Sequence, residues 1–359
     1  MRKHIVIISQ GENLQASVRK IFKDLGWHDL RRKRVLLKPN MLRAAQPDEC
    51  VVTSPLLIDE TVSFLTSVGA DVMVGDNPMP DSRFRNVNEI ADYCGFLEVA
   101  RGNFRNISRY AKKVKNPKAL LKEFYVSREI FDCEMLVSLP KYKSHELTTM
   151  TLSVKNHFGI IPGGLKPYIH SLFPRIEDFS KVLIEIYETR VPDVIIVDCL
   201  YTIDAKGNKQ RPGILIAGDN GHAVDYTCAL MAGIDPLRVP TIKIARDAGL
   251  FNPKMITYVG NLPRLQGFSL PFSFPFRNSV VEFVARILYK LWLARVPVID
   301  SAACTRCLSC ENVCPPRAIT DQHVDYSKCI RCYCCVEVCP NSAIRNKSRL
   351  VGHYLRSEK

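Results

Sequence analysis

The sequence predicts two structural units: an α/β domain with a mostly parallel sheet and flanking helices, then a small α+β domain at the carboxyl end. Short β-branched runs alternate with amphipathic stretches through most of the chain, a pattern typical of parallel sheets covered by helices. Nine of the fourteen cysteines then fall between residues 304 and 339. A chain of 359 residues is long enough for one large domain and one small one.

Six apolar runs predict strands, and four amphipathic stretches predict helices. The strands are expected at residues 5–8, 35–38, 71–74, 135–139, 194–197 and 214–217, and the helices at 14–25, 55–68, 176–187 and 223–231. We expect the α/β domain at residues 1–262, a linker and an amphipathic helix at 263–298, the cysteine-rich domain at 299–346 and a tail at 347–359.

The composition, with 47% hydrophobic and 24% charged residues, is that of an ordinary globular protein. No window approaches twenty consecutive apolar residues, which argues against a membrane-spanning helix. The first apolar run is too short for the core of a signal peptide. We therefore expect a cytoplasmic protein, whose cysteines serve metal or redox chemistry rather than disulfides.

The cysteine-rich end contains one motif twice, C-x2-C-x2-C-x3-C-P, which is the spacing of a ferredoxin with two [4Fe–4S] clusters. In such proteins the fourth cysteine of each run ligates the other cluster. The predicted ligands are Cys304, Cys307, Cys310 and Cys339 for one cluster, and Cys329, Cys332, Cys335 and Cys314 for the other. Zinc sites use paired C-x2-C motifs, which this doubled pattern does not fit.

The remaining cysteines have structural interpretations. Cys334 falls outside the motif and is expected to pack beside a cluster, and the five scattered cysteines are expected to be buried thiols. Clusters of this type transfer one electron at a time at low potential, so we expect a low-potential electron donor or acceptor protein as a partner. The sequence leaves open whether a flavin or another organic cofactor accompanies them.

Polar residues follow several predicted strands: Pro39-Asn40, Asp76-Asn77, Pro140-Lys141, Asp198 and Asp219-Asn220. Ligands of open α/β sheets bind outside the carboxyl ends of the strands, so we expect these residues to cluster there. The general polarity of turns explains part of the pattern. No GxGxxG motif or Walker loop is present, and a nucleotide cofactor is not predicted.

The densest candidate site is the stretch from residue 140 to residue 170. It contains Lys141, Lys143, His145, Lys155, Asn156, His157, Lys166 and His170, interspersed with Gly159, Gly163 and Gly164. Cationic side chains beside glycines suit an anionic small molecule that carries phosphate or carboxylate groups, and a desolvated lysine or a histidine can also donate a proton. The alternative is a basic loop that docks the clusters or a partner.

Several segments resemble the family catalogued as domain of unknown function 362, some members of which are fused to a two-cluster ferredoxin. They are KPNM, PKYKSHELTTMTLSVKNHFGIIPG, the aspartate after VIIV, and GHAVDYTCALMAG. The resemblance implies the fold and the electron-transfer module, and it implies no reaction. It transfers Lys38, Asn40, Lys141, His145, Lys155, Asn156 and Asp225 as site residues. The segment CLYTIDAKGNKQRPG departs from the glycine-rich, acidic residues expected there.

From these observations we take Lys141, His145 and Lys155 as catalytic candidates. We take Lys38, Asn40, Asn156, His170 and Asp225 as candidates for substrate binding.

Two further segments carry unusual charge or amphipathicity. The basic segment, residues 101–122, holds eight Lys or Arg and no Asp or Glu, and is either a solvated hairpin around Asn116-Pro117 or a surface for an anionic partner. It lacks an aromatic platform, so nucleic acid is not expected. Residues 278–295 have helical spacing with a basic flank, which predicts a helix that packs the small domain onto the large one or makes a peripheral membrane contact.

The sequence supports one function best and two alternatives. The first is an iron–sulfur oxidoreductase whose clusters pass electrons to a substrate held at the strand ends. The second is an electron-transfer subunit or scaffold without chemistry of its own, and the third is a factor that acts on a macromolecule. The net charge of +14 motivates the third.

Overall fold

The computed structural model describes residues 3–79, 81, 83–84, 86–145, 148–173, 175–269, 296–314, 316–329, 335–336, 339, 341 and 343–347. The expected helix at residues 278–295, the tail after residue 347, Cys332 and Cys334 lie outside these residues.

A ten-stranded sheet forms the centre of the large domain, and its main path runs in the order β12–β1–β11–β9–β6–β2–β3. The strands of this path are β1 (His4–Gln10), β2 (Arg34–Pro39), β3 (Asp71–Val74), β6 (Met135–Leu139), β9 (Val194–Ile203), β11 (Ile214–Gly218) and β12 (Ile256–Val259). Strands β7 (Lys141–His145), β8 (Thr149–Thr151) and β10 (Lys209–Gln210) pair with β9 or with one another.

Helices cover both faces of this sheet, because consecutive residues of each buried strand point into different cores. Val35 and Leu37 of β2 lie in one core, whereas Leu36 lies in the other. The first core includes residues of α1 (Leu14–Asp24), α2 (Pro55–Ser67), α3 (Val87–Tyr93) and α4 (Phe96–Val99). The second includes residues of α5 (Glu129–Asp132), α6 (Ser153–His157), α7 (Leu165–Leu172), α8 (Ile176–Thr189), α9 (Gly221–Met231) and α10 (Pro240–Asp247).

Asparagine side chains mark the start of several helices. The Oδ1 atoms of Asn13, Asn86 and Asn220 accept from backbone N–H groups three residues later, at the amino ends of α1, α3 and α9. Helix α2 begins instead with Pro55, whose missing N–H costs nothing at that position. These local signals explain why the predicted helices begin within two residues of their observed starts.

The predicted fold class is confirmed, since most strand pairs in the central sheet are parallel and helices flank it. All six predicted strands and four predicted helices are present. One expectation about the sheet edge was wrong: β11 is antiparallel to both β1 and β9. Asp219 therefore lies at the opposite edge from the other polar strand ends, where its carboxylate accepts from the N–H of Ile5, 3.2 Å away.

The small domain contains two short antiparallel sheets. Strand β13 (Val296–Ile299) pairs with β16 (Ile344–Lys347), and β14 (Ile319–Thr320) pairs with β15 (His323–Val324), while α11 spans Ser309–Val313. The pairing of β13 shows that this sheet begins a few residues before the expected boundary. Phe268 is buried in the core of the large domain, so the predicted linker packs against that domain through residue 268 at least.

The basic segment leads into an antiparallel hairpin formed by β4 (Ala111–Lys115) and β5 (Glu123–Ser127). Lys112, Lys115, Lys118 and Lys122 are exposed, whereas Lys113 forms a 3.1 Å ion pair with Glu123. The hairpin expected around Asn116-Pro117 is therefore present. Among the described helices, none is long and apolar enough to cross a membrane.

Candidate functional site

The site lies where β2, β3 and β6 end, because these parallel strands carry their carboxyl ends to one edge of the sheet. Lys38 of β2 is completely buried, and its ammonium lies 2.8 Å from the Asp76 carboxylate that follows β3. The same ammonium donates to Asn156 Oδ1 at 3.3 Å, and Asn156 Nδ2 donates to Ser138 of β6 at 3.0 Å. Three strand ends and α6 are thus joined by one buried polar network.

A second buried ion pair lies beside the first. Lys141, which is 1% exposed, places its ammonium 2.8 Å from Asp198 of β9. The pairing exists because a single residue separates β6 from β7, and β7 runs parallel to β9 with Lys141 opposite Asp198. A buried lysine either has a carboxylate partner or loses its proton, and Asp198 provides the partner here.

Hydrogen bonds from the Thr53 side chain to backbone groups hold the loop between β2 and α2 at this edge. Thr53 Oγ1 accepts from the N–H of Asn40 and donates to the carbonyl oxygen of Leu139, both at 2.7 Å. Asn40 is buried, and within the described part of the chain its Oδ1 atom has no hydrogen-bond partner. An unpaired buried acceptor is costly, so this oxygen is a candidate for contact with a ligand.

Three further lysines converge here: Lys143, Lys155 and Lys166. Lys143 donates to the carbonyl oxygen of Val51 at 2.6 Å, and Lys166 donates to that of Asn77. Burial lowers the pKa of Lys143 to about 7, and the charges of Lys141 and Arg43 add to this effect. No carboxylate of the described residues lies within ion-pair distance of Lys143.

Lys155 has an aromatic environment. Its ammonium lies 4.5 Å from the ring centroid of Phe158 and 4.8 Å from that of Phe179. The His170 ring stacks on Phe179 with a centroid distance of 4.0 Å. Burial lowers the pKa of Lys155 to about 7, and the charges of Lys166 and Lys143 lower it further. The site therefore holds two lysines, Lys143 and Lys155, whose protonated forms are not neutralised by an ion pair among the described residues.

The two histidines with the most strongly lowered pKa are neutral at physiological pH. Burial, followed by the charge of Lys155, lowers the pKa of His145 to about 3, and its Nδ1 accepts from the N–H of Thr148 at 3.2 Å. Burial and the charge of Lys38 likewise lower the pKa of His157 to about 3. Neither ring nitrogen of His157 has a partner among the described residues. His145 can therefore orient a ligand, but it does not add to the positive charge.

Asp225 supports the site by holding the start of α6. Its two carboxylate oxygens accept from the N–H groups of Ser153 and Val154, at 2.8 and 3.2 Å, and so hold the first turn of α6. Gly159 follows α6 and packs against the first ion pair. A Cβ atom on Gly159 would lie 2.2 Å from Asp76 Oδ1 and 2.5 Å from Lys38 Nζ, so this position requires glycine.

The structure thus brings most of the sequence-predicted residues to one edge. Lys38, Lys141 and Asn156 belong to its ion pairs and hydrogen bonds, and His145, Lys155 and His170 lie around Lys143 and Lys166. The oxygens of Asp225 are occupied by backbone groups, so its assignment to substrate binding stays a prediction.

The sequence-based assignment left out residues that shape the site: Asp76, Asp198, Lys143, Lys166, Phe158 and Phe179. Asp76 and Asp198 had been noted as polar residues after predicted strands, and Lys143 and Lys166 belong to the candidate stretch from residue 140 to residue 170. Phe158 adjoins the KNHFG block, whereas nothing in the sequence marks Phe179, which lies on α8.

The cysteines of the small domain lie around its own core. Cys304, Cys307, Cys310 and Cys339 line a single cavity of about 90 Å³, the same four thiols that the crossed pattern groups together. In the described residues, no three metal-binding side chains are close enough together to hold a single metal ion. The four cysteines that line the cavity provide thiolate donors, which are the ligands of iron–sulfur clusters.

The two halves of the small domain repeat one local contact. The N–H of Ala318 donates to Cys314 Sγ, and the N–H of Ala343 donates to Cys339 Sγ, both at 3.2 Å and four residues apart. Such N–H···S bonds stabilise the charge of a cluster and raise its potential. Cys314, Cys329 and Cys335 also pack around the core of this domain, and the fourth thiol predicted with them, Cys332, lies outside the described residues.

Comparisons with known proteins identify both parts of the chain. The model of a family described as a domain of unknown function, DUF362, matches residues 35–230, and a 4Fe-4S binding domain matches twice, at residues 297–320 and 323–345. A thylakoid-associated protein of Synechocystis sp. is 29% identical over 255 residues, which are 67% of this chain and 76% of that protein.

Two solved structures are similar at low identity. The lactate racemase apoprotein of Thermoanaerobacterium thermosaccharolyticum shares 15% identity with a TM-score of 0.40 over 64% of this chain, and a Thermotoga maritima protein shares 14% with a TM-score of 0.38 over 62%. The chain spans 57% and 59% of their respective lengths.

The match to the 4Fe-4S binding domain supports iron–sulfur electron transfer by the small domain. The match to DUF362 covers more than half of the chain. The protein therefore belongs to the DUF362 family and carries a ferredoxin-type 4Fe-4S domain at its carboxyl end.

Proposed function

We propose that this protein is an iron–sulfur oxidoreductase in which two [4Fe–4S] clusters pass electrons to an anionic acceptor bound at the carboxyl edge of the central sheet. The observation that carries the proposal is the convergence of Lys143 and Lys155, for which no carboxylate of the described residues forms an ion pair, beside the paired lysines Lys38 and Lys141. An excess of buried positive charge is costly unless an anion neutralises it.

The roles follow from the contacts. Lys143 uses one of its three N–H donors on Val51, which leaves two for a phosphate or carboxylate oxygen. The unpaired oxygen of Asn40 can accept from a hydroxyl or amide of the ligand. Lys155, whose pKa is about 7, can give up a proton at neutral pH when the acceptor gains electrons. The ion pairs of Lys38 and Lys141 hold the surrounding backbone in place.

The proposed clusters supply single electrons at low potential, and the chain supplies their thiolate ligands. The first set is Cys304, Cys307, Cys310 and Cys339, and the second is Cys329, Cys332, Cys335 and Cys314. Because cluster and anion site belong to one chain, electron delivery between them is intramolecular and independent of protein concentration.

Binding of inorganic phosphate to the anaerobically reconstituted protein tests the anion site. We expect saturable binding by calorimetry that falls at least about tenfold in Lys143→Met, since a charge-assisted hydrogen bond contributes about 1.5–3 kcal/mol. Lys20→Met, at an exposed ion pair on α1, is the matched control and keeps the affinity. Equal affinity in both variants, or no binding to the unaltered protein, would contradict the proposal.

Reoxidation of the reduced clusters tests the electron transfer itself. After stoichiometric reduction, an anionic acceptor should restore the visible absorbance of the oxidised clusters faster in the unaltered protein than in Lys143→Met. A neutral acceptor should reoxidise both at one rate. If the variant responds equally to anionic acceptors, the acceptor does not bind at this edge.

A second candidate function is an electron-transfer subunit that docks a redox partner, and the exposed basic segment favours it. Reversing Lys115, Lys118 and Lys122 to glutamate would then slow reduction by an acidic partner protein at low salt and leave phosphate binding unchanged. Loss of the partner reaction with no acceptor-dependent reoxidation would favour this second function.

We further propose a cytoplasmic location with a peripheral membrane contact. The relative from Synechocystis sp. is named as thylakoid-associated, and the amphipathic pattern of residues 278–295, with its basic flank, suits a membrane surface. Co-sedimentation with vesicles containing anionic lipid tests the contact, which would be absent if neutral and anionic vesicles both leave the protein in the supernatant.

A further inference from the structure

Lys155 differs from the other lysines of the site in the surroundings of its amine. The amines of Lys143 and Lys166 donate to backbone carbonyl oxygens, and those of Lys38 and Lys141 face carboxylates. Lys155 faces two phenylalanine rings, and in the described part of the chain no carboxylate pairs with it. Its side chain is nevertheless partly exposed, so a small molecule can reach it.

The charged groups around Lys155 all disfavour its protonated form. Lys143 approaches from β7 and Lys166 from α7, whereas His145, also on β7, is neutral. Burial and these neighbours lower the pKa of Lys155 to about 7, so a large fraction is the free amine at neutral pH. The ring faces favour the cation and oppose this shift, although a cation–π contact replaces only part of the lost hydration.

An amine that packs against aromatic rings and lies beside further lysines is activated to attack a carbonyl compound that bears an anionic group. We propose that Lys155 is a nucleophile that forms an imine with a 2-oxo acid, a ligand whose carbonyl carbon is bonded to a carboxylate. Lys143 would hold the carboxylate through its remaining N–H donors. The inference rests on the proposed anion site and names the class of its ligand.

The step is balanced without an oxidant or reductant. The lone pair of Nζ attacks the carbonyl carbon, a C–N bond forms, and the carbonyl oxygen takes a proton to give a carbinolamine. A second proton, taken from solvent, lets the C–O bond break and that oxygen leave as water, which gives the protonated imine. The positive charge that the imine carries is the charge that the neutral amine lacked, and it lies next to the ligand's carboxylate.

Reductive trapping with glyoxylate tests the inference. The full-length reconstituted protein is incubated at pH 7 with glyoxylate and cyanoborohydride, and carboxymethylated lysines are quantified by peptide mass spectrometry. An exposed lysine with a pKa near 10.4 is less than about 0.1% free amine at this pH, so Lys155 should react at least about tenfold faster than Lys20. Inorganic phosphate should slow the reaction of Lys155 and leave Lys20 unchanged.

Acetaldehyde, which lacks the carboxylate, distinguishes the reactivity of the Lys155 amine from the recognition of the ligand's carboxylate. It should modify Lys155 at least about tenfold more slowly than glyoxylate does, relative to Lys20 in the same digest. Equal selectivity for the two aldehydes would overturn the 2-oxo acid as the ligand class.

The failure of this inference and the failure of the proposed function give different results. If Lys155 reacts no faster than Lys20 while phosphate still binds by calorimetry, the imine is wrong and the anion site stands. If phosphate neither binds nor protects, the anion site itself fails. Lys143→Met adds an independent check, since it should reduce the glyoxylate reaction at Lys155 more than the acetaldehyde reaction, which responds only to the accompanying rise in the pKa of Lys155.

Discussion

At the scale of single residues, five chemically identical lysines acquire different states from their surroundings. Lys38 and Lys141 are buried with a carboxylate 2.8 Å away, and each pair is neutral as a whole. Lys143 is 4% exposed and has only a backbone carbonyl, so the loss of hydration is not recovered and its pKa falls to about 7. The lysines differ because the fold places a carboxylate beside Lys38 and Lys141 but only a carbonyl oxygen beside Lys143.

The sequence predicted the residue types at the site better than their pairings. Lys38 ends a predicted strand, Asn40 and Lys141 follow one, and this position alone places them at the carboxyl edge. The partner of Lys141 lies 57 positions away on β9, and which residue faces it depends on the register of two parallel strands. No local pattern encodes that register, so the distinction between paired and unpaired lysines could not be predicted.

The lowered pKa of Lys143 predicts how stability depends on pH. The folded-state value of about 7 lies below the ordinary value of 10.5, so between these limits the unfolded chain binds more protons. The free energy of unfolding should therefore rise with pH from 7 towards 10.5. The contribution of this lysine is at most about 1.4 kcal/mol per pH unit.

Urea unfolding between pH 6.5 and 9, in a buffer without multivalent anions, measures this dependence. Lys143→Met should be more stable near pH 7 and show a shallower rise than the unaltered protein. Lys20→Met, which removes an exposed lysine, should keep the original slope. A slope that is the same in all three proteins would show that Lys143 is charged in the folded state.

At the scale of secondary structure, the short helix α6 has to be held by its neighbours. Five residues cannot form a stable helix alone, because the first turn fixes several dihedral angles for a single hydrogen bond. Asp225 of α9 satisfies two of its free N–H groups, and β8 leads directly into it. The sequence predicted α9, and the family resemblance placed Asp225 among the candidates for substrate binding. Its contact with α6 joins residues about 72 positions apart, which no local pattern encodes.

Asp225→Ala should displace α6 and with it Lys155 and Asn156. We expect a loss of about 2–4 kcal/mol in the free energy of unfolding, since two buried N–H groups lose their acceptor. Phosphate affinity should fall in parallel. Both quantities are measured on one preparation, by denaturant unfolding and by calorimetry.

Asn220→Ala is the matched control, because Asn220 caps the helix that carries Asp225 but does not contact α6. It should cost about 1 kcal/mol of stability and leave phosphate affinity unchanged. If both variants lose affinity equally, general destabilisation explains the result, and α6 is not positioned by Asp225.

At the scale of the whole molecule, the two domains were predictable to different degrees. The cysteine spacing identified the 4Fe-4S motif, which the family match confirms, and it predicts that Cys339 joins the three cysteines with which it lines a cavity. The alternation of strands and helices identified the α/β class. The antiparallel direction of β11 could not be predicted, since a buried strand is equally apolar whichever way it runs.

The crossed ligation predicts that each cluster depends on both ends of the small domain. Cys339→Ser removes a thiolate from the cavity that also contains Cys304, Cys307 and Cys310, although it lies 29 positions after the last of them. We therefore expect this variant to impair the cluster of the first run. Iron should fall from about eight to about four atoms per chain if that cluster is lost, or to about seven if it survives as a three-iron form.

Electron paramagnetic resonance of the reduced protein, together with iron and sulfide analysis, distinguishes the two clusters. Two nearby reduced clusters couple magnetically, so the unaltered protein should give a broadened spectrum and Cys339→Ser the signal of a single cluster. Cys334→Ser, a change in the cysteine outside the motif, should keep both clusters. If Cys339→Ser damages the same cluster as Cys329→Ser, each run ligates its own cluster, and the crossed assignment is wrong.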